Sequence, residues 1–322
     1  MERLEELYAI GSARIGGSRE EDAAHELAAR WMQEAGLEVE IDEAGNTFGR
    51  RGAAAVWTGS HLDTVPGGGR FDGALGVVAG IEAADRTDVE LAVVAFRDEE
   101  RGCTGSSARV EAGGLPRAFL ELHIEQGPVL ERAGEPLGIV TAIVGQARGE
   151  RIFAGRADHA GTTPMDARRD ALVEAAAFVL HVRESASGGA VATVGTLEVE
   201  PGAGNVVPAR VVVSIDARAA TSLELDRLVS AIGFEPAWRA EPIEMSGAPL
   251  EALRAAVPGA RELVSGAGHD AAILAAAGVP SGMLFVRSLN GGVSHSPDEL
   301  SSPEDVALAV DALSAALVRI AR

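Results

Sequence analysis

The stretch from Ser60 to Gly73, SHLDTVPGGGRFDG, sets one histidine and two aspartates among four glycines, directly after the apolar run Ala53 to Trp57. Imidazole and carboxylate groups are the donors that a divalent ion collects from several chain segments. Two more polar clusters follow apolar runs in the same way. Arg97-Asp98-Glu99-Glu100 closes the run Val89 to Phe96, and His123 with Glu125 closes Phe119 to Ile124. An acidic solvated rim would not account for the histidines that accompany these acids. One histidine-carboxylate pair per ion plus a shared aspartate makes a two-metal set, because an aspartate has two oxygens to share. Neighbouring side chains leaving a strand point in different directions. One of Glu99 and Glu100 is therefore free to ligate while the other reaches an attacking water as a general base. Asp63, two residues past His61, is placed to orient that imidazole from behind, and the glycines at 67, 68, 69 and 73 let the loop turn Asp72 back toward it.

Five of the seven histidines, His61, His123, His159, His269 and His295, fall in glycine-rich or acidic loops. His25 and His181 sit inside amphipathic helical patterns and read as structural.

The elements that must position these groups alternate. Ser18 caps a helix over Glu20 to Ala35. Val39 to Ile41 and Ala53 to Thr58 read as strands, Gly73 to Ala84 as a small-residue helix, and Val89 to Phe96 and Phe119 to Ile124 as buried strands. This rhythm predicts an α/β fold, a mostly parallel mixed sheet with helices on both faces. Ligands bind at the carboxyl ends of the strands in such sheets, where the polar clusters lie. After Gln146 the texture changes to strands over Glu150 to Ala154, Ala190 to Val199 and Val206 to Ala217. Helices over Ala167 to Glu184 and Ser222 to Ile232 complete an inserted α+β unit. Helices over Pro249 to Val257 and His269 to Ala277, a strand over Gly282 to Val286, and a helix over Pro303 to Ile320 capped by Ser302 return the chain to the first domain. The expected division is 1–146 with 243–322 as the first domain and 147–242 as the insert.

Composition narrows the function classes. The chain has 322 residues, 47% of them hydrophobic, and a formal net charge of −20. That charge argues against nucleic acid or an anionic membrane as partner. Every basic residue is arginine, so Schiff-base and phosphate-loop lysine chemistry are excluded. The lone Cys103 forms no internal disulfide, the N-terminus lacks the apolar core of a signal peptide, and no apolar run reaches the roughly 18 residues of a membrane span. The expectation is a soluble cytoplasmic protein.

The motifs SHLDTVPGGGRFDGALGV, RDEE, ELHIEQGPVLE, RADHAGTTPMDARRDA, SGAGHDAA and GVSHSPDE, in this order, closely resemble the amidase, hydantoinase and carbamoylase branch of the M20 metallopeptidase superfamily. That branch includes N-carbamoyl-L-amino-acid hydrolases, allantoate amidohydrolases and β-ureidopropionases. The resemblance runs from about Leu4 to the last helix. It implies a zinc-exopeptidase-like catalytic domain, a lid and dimerisation domain, and two divalent ions. His61, Asp72 and His123 look like the ligands of one ion and Asp72, Glu100 and His295 those of the other. Glu99 resembles the general base, and Gln126 a substrate-contacting residue. His159 looks like a lid histidine that polarises the scissile carbonyl in the partner subunit of a homodimer. Asn205 and Arg218 resemble the lid groups that bind a substrate carboxylate, and His269 a histidine near the site. Such ligation suits Zn²⁺, Mn²⁺, Co²⁺ or Ni²⁺.

The chain is shorter than typical members of this branch. The losses fall before Gly16, between Arg218 and Pro242, and between Ser246 and Ser265, and Arg287 stands where many relatives have proline, which would bring a guanidinium near the pocket. The reading is a metal-dependent amidohydrolase that cleaves a linear C–N bond of a ureido, carbamoyl or amide group on a small carboxylate substrate. Its rivals are an M20 aminoacylase or dipeptidase, against which His123 in place of an acid speaks, and a non-catalytic binding protein on the same fold.

Overall fold

A computed structural model of the chain describes residues 1–321. In chain order its helices are α1 (Glu2–Ile10), α2 (Arg19–Glu34), α3 (Ala74–Arg86), α4 (Thr104–Ala112), α5 (Val129–Ala133), α6 (Ala171–Ser185), α7 (Ser222–Ile232), α8 (Gly247–Ala256), α9 (Asp270–Ala276) and α10 (Pro303–Ala321). Its strands are β1 (Glu38–Ile41), β2 (Thr47–Arg51), β3 (Val56–His61), β4 (Leu91–Phe96), β5 (Ala118–Ile124), β6 (Leu137–Ile143), β7 (Gly145–Ala154), β8 (Val191–Glu200), β9 (Arg210–Ala219), β10 (Trp238–Ala240), β11 (Ile243–Glu244), β12 (Arg261–Ser265) and β13 (Ser281–Val286). Two compact units result, Met1–Ile143 with the chain from Glu244 on, and Val144–Ile243.

The first unit is built on a mixed sheet in the order β1-β2-β4-β3-β5-β13-β6-β11, with β12 on β6. Its centre is parallel, β4-β3-β5-β13, and antiparallel pairing enters at β2 on β4 and β6 on β13. Residues of β3, β4, β5 and β13 are buried throughout, as expected of parallel strands covered on both faces. The apolar side chains on one face of these strands, among them Val93, Leu120, Leu122 and Leu284, form one core with Leu75, Val78 and Ile81 of α3 and Val310, Leu313 and Leu317 of α10. The helix ends follow local chemistry. Ser18 accepts the Glu21 N–H at the start of α2, and Ser302 accepts the Asp305 N–H at 3.1 Å at the start of α10. His25 is structural, 3% exposed and bonded to Thr47 Oγ1 at 2.9 Å.

The second unit is an antiparallel sheet, β10-β7-β9-β8. Along β9 the burial alternates strictly, so Val211, Val213, Ile215 and Ala217 face a core made with α6 and α7, while Ser214, Asp216 and Arg218 share the opposite face. Among the described residues no helix is long and apolar enough to cross a membrane.

Candidate metal centre

The carboxyl ends of β3, β4 and β5 deliver the polar groups to one place. His61 is the last residue of β3, Glu99 and Glu100 follow β4, and His123 lies in β5. Asp72 arrives from the loop before α3. Gly73, with φ +61°, makes that loop possible, since a Cβ there would stand 2.5 Å from ring atoms of His61. Of the other glycines in the loop only Gly67 has positive φ.

Asp72 divides its two oxygens. Oδ1 lies 3.1 Å from His123 Nε2 and 3.8 Å from His61 Nε2, and Oδ2 lies 3.3 Å from His295 Nε2. His295 Nε2 is also 3.5 Å from Glu100 Oε2. Two triads of ligand atoms result, His61-Asp72-His123 and Asp72-Glu100-His295, each within 4.8 Å of one another. The first is buried. In the second His295 is 49% exposed and has φ +56°.

Behind the triads the imidazoles are oriented. Asp63 faces His61 Nδ1 at 3.2 Å and takes the N–H of Glu99 and of Glu100, both at 3.1 Å. Hydrogen bonds to a charged group contribute about 1.5–3 kcal/mol each, enough together to offset burial of this carboxylate. His123 Nδ1 donates to the Ile124 carbonyl at 2.9 Å, which turns Nε2 toward Asp72.

Charge follows the same plan. Burial alone would raise Asp72, yet hydrogen bonds from His123 and His295 hold its carboxyl well below the usual range. Burial lifts Glu99 to about 7, against the pull of His61 and with repulsion from Glu100 and Asp72. Burial works to lower His123, but Asp72 and Glu121 outweigh it and raise the imidazole to about 9. His295 also rises to about 9, chiefly through its hydrogen bond to Asp72. Crowded carboxylates beside imidazoles suit divalent cations, and Glu100 Oε1 is buried without a hydrogen-bond partner, a lone pair left over that an ion would use. The donor set fits two ions.

Gln126, with φ +55°, donates to Asp72 Oδ2 at 2.9 Å. His269 caps α9, bonds Ser265 Oγ at 2.8 Å and stacks edge-on against His123 at 4.5 Å; burial and His123 push its imidazole well below the ordinary value. Arg287 lies on Asp305, at 2.8 Å, so its guanidinium is engaged at the start of α10 and not offered to a pocket. His159, Asn205 and Arg218 belong to the second unit. There His159 Nδ1 accepts N–H bonds from Gly161 and Thr162 at 3.0 and 3.1 Å, which assigns the ring proton to Nε2. The Asn205 carbonyl accepts from Ala160 at 3.0 Å beside it. Arg218 grips Asp216 through Nε and Nη2 at 2.8 and 3.2 Å, and Arg148 takes the same carboxylate at 2.9 Å.

Two further carboxylates that no spacing signal singles out, Glu121 and Glu299, are buried at the site. Glu121 stands two residues before His123, hence on the same face of β5. It accepts from Ser60 Oγ at 2.6 Å and Ala271 N at 2.9 Å, tying β3, β5 and α9 together under the site. A third triad, Glu121-His123-His269, lies within ligating distance, but both Glu121 oxygens already accept hydrogen bonds.

This fold and site place the chain in a known class. Residues 57–319 match peptidase family M20/M25/M40, and the chain belongs to that family, whose members are metal-dependent. It is 38% identical over 398 residues to the N-carbamoyl-L-amino acid amidohydrolase of Geobacillus stearothermophilus, covering 97% of this chain and 95% of that one. It is 33% identical over 368 residues to the allantoate amidohydrolase of Bacillus subtilis, covering 90% and 88%. Among solved structures, a hydantoinase/carbamoylase family amidase from Burkholderia multivorans superposes with a TM-score of 0.89 at 31% identity, over 100% of this chain and 97% of that one.

Proposed function

We propose that the chain is a metal-dependent amidohydrolase that cleaves the linear C–N bond of a carbamoyl or ureido group on a small carboxylate substrate, such as an N-carbamoyl-L-amino acid or allantoate. The observation that carries the reading is the divided carboxylate of Asp72, one oxygen toward His61 and His123 and the other toward His295. The similarity to carbamoyl and allantoate amidohydrolases supports the substrate class.

His61, Asp72 and His123 would hold one ion, and Asp72, Glu100 and His295 the other. When bound, a pair of Zn²⁺, Mn²⁺, Co²⁺ or Ni²⁺ ions would acidify water and offset developing negative charge. Glu99, buried and lifted toward neutrality, takes the proton of the attacking water and gives it to the leaving nitrogen. Asp63 keeps Glu99 and His61 in place through the bonds described above. In the segment Val144–Ile243, read as the lid, His159 donates its Nε2 proton to the carbonyl oxygen of the substrate held by the partner subunit and stabilises the oxyanion. Arg218, held flat by Asp216, takes the substrate carboxylate with Asn205. His269 and Gln126 line the site. For a carbamoyl substrate, water yields the amino acid, ammonia and carbon dioxide. The lid is also the homodimer surface in this reading. Its edge strand β8 exposes Val191 and Leu197, an open strand edge with apolar side chains.

The test is a substrate panel. Mn²⁺-loaded protein is incubated with N-carbamoyl-L-amino acids, N-carbamoyl-β-alanine, allantoate and N-acetyl-L-amino acids, and ammonia and free amine are followed. Ammonia should appear from at least one ureido substrate at least about a hundredfold faster than amine from any acetylated one, because a site built around the ureido N–H groups rejects analogues lacking them. No ammonia from any ureido substrate would sink the proposal.

A further inference from the structure

Glu299 lies four residues beyond His295 and is 2% exposed. Its Oε2 accepts the N–H of Phe71 at 2.7 Å and of Asp72 itself at 3.0 Å. Its Oε1 accepts the hydroxyl of Ser294, the residue before His295, at 2.9 Å. One carboxylate thus joins the loop that presents Asp72 to the loop that presents His295. The joint is built tightly. A Cβ on Gly69 would stand 2.2 Å from Glu299 Oε2, so the loop wraps the carboxylate as closely as glycine permits.

Ser294 is the second part of the joint. Its single proton has two acceptors in reach, Glu299 at 2.9 Å and Asp72 Oδ2 at 3.4 Å. The shorter contact to an acid takes the proton, which keeps it off the aspartate oxygen that faces His295. The Ser294 oxygen in turn receives the Gln126 amide at 3.2 Å, and the same amide donates to Asp72 Oδ2 at 2.9 Å.

We infer that Glu299 is a positioning residue for the cation held by Asp72, Glu100 and His295, setting the distance between the first and last of these ligands. The inference rests on the two-ion reading proposed above. His61 and His123 are oriented by Asp63 and the Ile124 carbonyl, so their set meets this joint only through Asp72. His295, half exposed on its loop, depends on it directly. Partners behind metal ligands typically change affinity by about 10- to 100-fold when removed.

The test is metal binding itself, read by calorimetry on chelator-stripped full-length protein titrated with Mn²⁺, at a temperature where each variant is folded. Wild type should bind two equivalents. Glu299→Ala should weaken one equivalent by about 10- to 100-fold and the other, whose set meets the joint only through Asp72, by clearly less. Glu299→Gln should recover most of that loss, since its amide oxygen still accepts the Phe71 and Asp72 N–H groups. Should Glu299→Ala fail to fold, Ser294→Ala decides, with one equivalent loosened by about threefold or more. Two unchanged equivalents, or equal weakening of both, overturns the inference while leaving the two-ion reading intact. Wild type that takes up no Mn²⁺ removes that reading and this inference with it.

Discussion

Replacing Glu99 by glutamine should lower kcat by about three orders of magnitude while both divalent ions stay bound, in line with the usual contribution of a positioned general base. Glutamine matches the shape of glutamate, so the packing survives. The Glu99 backbone N–H that holds Asp63 at 3.1 Å is untouched. What is lost is the lone pair that accepts a proton. The site prepares that lone pair. Burial, with Glu100 and Asp72 nearby and against the pull of His61, lifts the Glu99 carboxyl to about 7. Its Oε2 lies 3.8 Å from His61 Nε2, beside the first triad. Steady-state rates and metal content measured on the same preparation check this. A variant within tenfold of wild type, with its metal intact, would remove Glu99 from the role of base.

Asp72→Ala should have the largest effect on metal content, because both triads lose the same residue. Each set would keep two donors, His61 with His123 and Glu100 with His295, and the imidazoles would lose the carboxylate that faces them at 3.1 and 3.3 Å. Both dissociation constants should rise by at least about 100-fold, beyond the loss of any partner behind a ligand. His123→Ala, by comparison, should cost the buried ion first. Elemental analysis after dialysis reads the outcome directly. Retention of one tightly held ion in Asp72→Ala would show that this carboxylate is not shared.

Much of this architecture was readable in the chain, and the gaps have physical causes. The buried parallel strands announced themselves as apolar runs, and α2 and α10 through their serine caps. β2 did not, because Thr47–Arg51 ends in two arginines. The fold accommodates Arg50 by laying its guanidinium over Phe48 and Trp57 at 4.6 and 5.4 Å, a use of arginine as flat apolar surface that no alternation pattern reveals. β6, Leu137–Ile143, was passed over because its apolar run merges into the change of texture near Gln146. The unit boundary accordingly falls at Val144.

At the site, spacing showed which residues end strands. The meeting of Asp72 with His295, more than two hundred positions apart, is a property of the folded loops. The groups that sequence passed over are those whose work is indirect. Glu121 and Glu299 stand two to four residues from a histidine, and their function lies in bonds to Ser60, Phe71 and Ser294. Arg218 and Arg287 both carry a side chain suited to a carboxylate. The structure shows them holding Asp216 and Asp305, so a free-guanidinium picture drawn from residue type alone misses the partner that orients each one.

The most direct test of the central claim follows ammonia release while metal is removed and returned. Chelator-stripped protein given a ureido substrate that the loaded enzyme turns over should release ammonia at least about 100-fold more slowly. Stepwise addition of Mn²⁺ should restore the rate and saturate at two ions per chain. Release that persists in the stripped protein, or a full rate reached with a single ion, would contradict a centre in which Asp72 holds two ions together.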